Sequence, residues 1–84
     1  MVVPDEIEQK ALMSRAELAR WLSELAAGIE AGGAMEIALV GPGISLDLPE
    51  RFRCELEIEF APDGDEIDVE IELTWRRSAP WGPT

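Results

Sequence analysis

The stretch FRCELEIEFAPDGDEIDVEIELTW, Phe52 to Trp75, decides the fold. Phe52, Cys54, Leu56, Ile58 and Phe60 fall on one parity, while Arg51, Arg53, Glu55, Glu57 and Glu59 fall on the other. A period of two marks a strand with one apolar and one wet face. Pro62-Asp63-Gly64-Asp65 supplies turn residues, and the alternation then resumes. Ile67, Val69, Ile71, Leu73 and Trp75 take the apolar side, and Asp68, Glu70, Glu72 and Thr74 the polar side. The pattern predicts a hairpin. A turn around residues 61–66 sets Glu59, Glu57 and Glu55 opposite Asp68, Glu70 and Glu72. A shift of two residues keeps the parity, so acid still faces acid.

Upstream, Pro49-Glu50 breaks the chain and a second alternation precedes it. Met35, Ile37 and Leu39 form one arm and Ile44, Leu46 and Leu48 the other, predicting a hairpin over 35–48. Gly41-Pro42-Gly43-Ile44 joins them, with Pro42 and Gly43 suited to the central positions of a type II turn. Before residue 35 the period is helical. Ser14-Arg-Ala-Glu17 is a capping box. Leu18, Trp21, Leu22, Leu25, Ala26 and Ile29 then recur every three or four residues, predicting an amphipathic helix over 15–31. Gly28 costs that helix up to about 1 kcal/mol relative to Ala, and Gly32-Gly33 stops it.

The ends carry weaker patterns. Glu6 to Leu12 alternates faintly and reads as an edge strand. Residues 1–5 read as a flexible N-terminus and residues 78–84, with Trp81 between prolines, as a flexible tail. The assembled expectation is one α+β domain over residues 6–77. It is a two-layer sandwich, an antiparallel meander of four strands (five with the edge strand) covered on one face by a single amphipathic helix.

Composition limits what such a domain does. The chain has 84 residues, with 18 Asp+Glu against 7 Lys+Arg, a net charge of −11 and no His. Nucleic-acid and anionic-membrane binding run on clustered Lys and Arg, so both are disfavoured. Without His, imidazole acid–base chemistry, a Ser-His triad and His metal ligands are absent. One cysteine forms no internal disulfide, and the acidic N-terminus lacks the layout of a signal peptide. The expectation is a soluble cytoplasmic protein. The sequence leaves the oligomeric state open.

Four blocks together resemble the amphi-Trp domain family: Ser14-Arg-Ala-Glu-Leu-Ala-Arg-Trp-Leu22, Ala27-Gly-Ile-Glu-Ala-Gly32, Ile44-Ser-Leu-Asp-Leu-Pro49 and Ile67-Asp-Val-Glu-Ile-Glu-Leu-Thr-Trp75. The last block, ending in tryptophan, is the most specific, and the resemblance spans roughly residues 7–75. It implies a short soluble prokaryotic domain of this fold and carries no catalytic residue over to this chain. Trp81 lies beyond it.

The acidic face asks most for an explanation. Like charges directly opposite destabilise a sheet. At about 5.5 Å each pair repels by roughly 0.7 kcal/mol in bulk water and about 3 kcal/mol at an effective dielectric of 20. Three pairs cost a few of the ~5–8 kcal/mol available to so small a domain. The plainest reading is a solvated face that resists edge-to-edge aggregation. The functional reading is a contact face for a larger protein with a basic surface, formed by Glu55, Glu57, Glu59, Asp68, Glu70 and Glu72, with Trp81 as a further anchor. A cation-responsive or nucleic-acid-mimicking domain using the same carboxylates is the alternative. A flat open row lacks the convergent loop that a hard cation wants.

The other candidates read as structure. Cys54 reads as core filler on the inward parity. Gly41-Pro42-Gly43 joins strand to strand with no helix behind it, unlike a phosphate loop. Asp63, Asp65 and Glu66 miss the spacing of an EF-hand loop. Trp21 and Trp75 read as core. No residue is expected to be catalytic and no cofactor or metal is expected. An enzyme is the least favoured class.

Overall fold

The computed structural model describes residues 6–77. Its elements run helix α1 (Arg15–Ala31), then strands β1 (Gly33–Ile37), β2 (Ile44–Leu48), β3 (Arg53–Phe60) and β4 (Ile67–Thr74). The chain divides into two compact units, one ending at Leu48 and the other beginning at Pro49.

In the first unit, Ser14 starts the helix as the capping box requires. Its Oγ accepts from the Glu17 N–H at 3.1 Å, and the Glu17 carboxylate accepts from the Ser14 N–H at 2.9 Å. Gly32 ends the helix in a left-handed backbone conformation, φ +76°, its N–H donating to the Gly28 carbonyl. The half-buried helix positions are Trp21, Leu25, Gly28 and Ile29, a single stripe at helical spacing. That stripe lies against β1. The Trp21 indole N–H donates to the Ala38 carbonyl at 2.6 Å. A Cβ built on Gly28 would meet the Met35 sulfur at 2.5 Å, so the helix position weakest in propensity is the one the Met35 side chain crosses.

Strands β1 and β2 pair antiparallel with Met35 opposite Leu46 and Ile37 opposite Ile44. The loop between them differs from the expected type II turn. The positive φ belongs to Gly41, at +71°, and not to Gly43. Gly43 is instead required by crowding: a Cβ there would lie 2.5 Å from the Ile37 carbonyl oxygen. The expected edge strand over 6–12 is absent, and those residues take no regular structure. Gln9 explains why. Its Oε1 accepts from the N–H groups of Leu39 (2.7 Å) and Val40 (3.2 Å), and its Nε2 donates to the Pro42 carbonyl (3.0 Å). One side-chain amide satisfies loop groups that a strand backbone would otherwise have served.

In the second unit, β3 and β4 pair antiparallel over their full length, from Arg53 opposite Thr74 to Phe60 opposite Ile67. The loop closes with Ala61 N–H donating to the Glu66 carbonyl, Gly64 N–H to the Ala61 carbonyl, and Asp65 N–H to the Asp63 carboxylate. Gly64 supplies the left-handed residue at φ +78°. At the open end, Phe52 and Trp75 meet edge to face, ring centroids 5.3 Å apart and planes at 83°.

The α+β content and both hairpins follow the sequence expectation, but the single meander does not form. β1–β2 and β3–β4 are separate two-stranded sheets. Alternation says which side of a strand is apolar; it carries no information on whether β2 takes β3 as a neighbour. Pro49 and Glu50 interrupt the chain at that junction. Among the described residues none is fully buried. Cys54, expected in a core, is exposed: its parity assigns it to the apolar side of the strand and carries no information on burial.

Candidate functional site

Two adjacent features of the β3–β4 hairpin concentrate the unusual chemistry: its acidic face and its apolar face. The register opposes Glu55 to Glu72, Glu57 to Glu70 and Glu59 to Asp68, so the six acids expected to share one face do share it. All six are exposed. The Arg53 guanidinium approaches the Glu55 carboxylate to 3.4 Å, with both side chains more than half exposed. A pair so open to water contributes little and leaves the face strongly negative. The arrangement is a flat double row with no cleft. It creates a local field that attracts cationic groups.

Among the described residues no group of three or more His, Cys, Asp or Glu side chains could hold a metal ion. Asp63 is engaged with the Asp65 N–H in the loop, as a turn residue would be. Trp21 and Trp75 are half-buried and each has a partner, the Ala38 carbonyl for one and the Phe52 ring for the other. Trp81 lies outside the described residues.

Trp75 gives the hairpin its signature. It ends an uninterrupted amphipathic strand and caps the apolar face of β4. The Amphi-Trp domain model matches residues 2–83. The chain belongs to that family. The match reaches further than the four blocks quoted from the sequence and takes in most of the tail. No curated protein and no solved structure matches the chain. In this Amphi-Trp domain, both strands of the second hairpin keep strict alternation from Arg53 to Phe60 and from Ile67 to Thr74.

Two features of the domain lay beyond sequence reasoning. A recess of about 350 Å³ in the first unit is lined by Ile7, Gln9, Trp21, Ile37, Pro42 and Ile44, among others. Its lining side chains are apolar apart from Gln9, whose amide is already committed to the loop, and the Trp21 N–H, already donated to Ala38. The second is the exposure of the β3–β4 apolar face. Leu56, Ile58, Phe60, Ile67, Val69 and Ile71 are each between 53% and 68% exposed. Inward parity was legible in the sequence; the degree of exposure on that side was not.

Proposed function

We propose that the chain is a small non-catalytic interaction module, or accessory subunit, that presents an acidic sheet face to a larger protein with a basic surface. The observation that carries this reading is the register, which aligns Glu55, Glu57 and Glu59 against Glu72, Glu70 and Asp68. The cost of three opposed like-charge pairs has no compensating gain inside the hairpin. A cationic partner supplies that gain: it neutralises the rows at contact, and the long-range field speeds encounter. The net charge of −11 points the same way and argues against direct binding to nucleic acid or anionic lipid. In this reading the protein works in the cytoplasm and uses neither cofactor nor metal, and Trp81 adds an apolar anchor from the tail.

The test is capture from the native cell by the intact chain, by a chain truncated after Arg77, and by Glu57→Lys and Glu70→Lys. A basic partner should be retained by the intact chain, released as salt rises, and lost on either reversal. Truncation should weaken it. Retention by both reversed variants, or retention indifferent to salt, would refute the acidic face as the contact.

A further inference from the structure

The chain contains no Asn, and Asp63 is its one Asp that stands directly before a glycine. That dipeptide can rearrange through a cyclic imide. In the acid form of Asp63, the Gly64 nitrogen bonds to the side-chain carboxyl carbon, the hydroxyl leaves, and the amide proton completes a molecule of water. Water then adds back to one of the two imide carbonyls. Addition at the side-chain carbonyl restores Asp63. Addition at the main-chain carbonyl breaks the original peptide bond and leaves the chain running through the side-chain carbon, an isoaspartyl residue. The water lost equals the water gained, so mass and charge are unchanged. Glycine permits the step because it has no side chain to crowd the nitrogen.

The closed loop forbids that ring. The Gly64 N–H donates to the Ala61 carbonyl at 2.9 Å, closing a β-turn with Pro62 and Asp63 at its centre. Among the described residues only glycines have positive φ and no peptide bond is cis, so the turn is type I and Asp63 has ψ of about 0°. A five-membered imide contains the Asp63 Cα–C bond, so Cβ and the Gly64 nitrogen must nearly eclipse, at ψ about −120°. The turn holds Asp63 about 120° away from that geometry. The Asp63 carboxylate is also turned toward the Asp65 N–H, which donates to it at 2.9 Å. The Ala61 N–H, donating to the Glu66 carbonyl at 2.9 Å, shuts the loop below the turn.

We propose that Asp63 is a modification site gated by the 61–66 loop: opening of the loop lets it isomerise to an isoaspartyl residue, and the isomer cannot restore the closed turn. The isomer puts one more carbon into the backbone between Pro62 and Gly64 and moves the carboxylate onto Cα. The type I turn loses its geometry, and the Asp65 N–H loses the carboxylate placed to accept from it. Glu59 and Asp68 form the acid pair nearest the loop, so the added carbon loosens the acidic rows from that end. The hairpin thereby keeps a lasting record of how long its loop has stood open. The new α-carboxylate belongs to the class of substrate that isoaspartyl methyltransferases esterify with a methyl group from S-adenosylmethionine. The inference stands whatever binds the acidic face.

The experiment ages the full chain at neutral pH, well below its Tm, beside a synthetic peptide spanning residues 60–67, too short to hold a hairpin closed. Isoaspartate is read as radioactive methyl transferred by an isoaspartyl methyltransferase, and electron-transfer fragmentation assigns it to residue 63. The full chain should form it about ten- to a thousandfold more slowly than the peptide, because three hydrogen bonds must break first, or about 1.4–4.1 kcal/mol of opening. Asp63→Glu, which would need a six-membered ring, should lose the signal. In the purified isomer, amide exchange at Ala61 and Gly64 should quicken about tenfold or more. A full-chain rate equal to the peptide's overturns the proposal, since the loop then gates nothing. So does a rate more than about a thousandfold below it, methyl acceptance undiminished by Asp63→Glu, or an isomer whose loop amides exchange as before.

Discussion

Replacing Glu57 by Lys tests the electrostatics of the acidic face most directly. Glu57 sits opposite Glu70 in the middle of the hairpin, flanked by Glu55 and Glu59 on its own strand. At a cross-strand separation of about 5.5 Å, the facing pair repels by roughly 0.7 kcal/mol in bulk water, and a Lys turns this into an attraction of like size. The swing is about 1.5 kcal/mol, which screening at physiological salt cuts by about half. The flanking carboxylates and the diagonal ones, Glu72 and Asp68, lie about 7–8 Å away and add a further few tenths each, offset by ordering the longer side chain. The net expectation is about 1 kcal/mol of added stability, or roughly 4–8 °C in Tm for a domain of this size. Thermal unfolding followed by circular dichroism, at fixed protein concentration and at several salt concentrations, measures it. The gain should be greatest at low salt and nearly vanish at 1 M, where the screening length is about 3 Å. A Tm that stays level or falls at low salt, or a gain that salt does not diminish, would refute the account of this face as self-repelling.

Two further outcomes follow from the first unit. Gln9→Ala removes three hydrogen bonds to the 39–42 loop and should destabilise the protein by about 1–3 kcal/mol, with amide exchange at Leu39 and Val40 quickening most; unchanged exchange at those two amides would show that Gln9 does not hold the loop. The Ser14 backbone N–H, and then its hydroxyl, hold the Glu17 carboxyl below its ordinary value of 4.5. Its cap therefore stabilises the fold above 4.5 and is lost as pH falls through the lowered value, so the Tm advantage of the native chain over Glu17→Gln should shrink on acidification; an advantage that holds steady with pH would contradict this.

Local chemistry was legible in the sequence. Ser14, Glu17 and Gly32 mark the helix ends through bonds within one turn of chain, and α1 begins and ends where they place it. The β3–β4 register was legible because eight unbroken alternations on each strand leave only even shifts, and every even shift keeps acid opposite acid. Contacts between distant residues were not. Gln9 reads as one more position in a faint alternation, yet its amide reaches a loop some thirty residues away. Gly28 reads as a flaw in a helix until Met35 is seen lying across it. The meander failed for the same reason. Pairing of β2 with β3 depends on backbone groups, and side-chain parity is blind to them.

The unbroken alternation of β3 and β4 also constrains how this hairpin can change length. Deleting a single residue inside either strand inverts every position beyond it, exchanging oil for charge on both sides at once. Losing two adjacent residues merely shortens the ribbon. Unless a bulge absorbs the difference, viable length variants of the strands should therefore differ by pairs of residues, as though the hairpin were read in a two-letter frame.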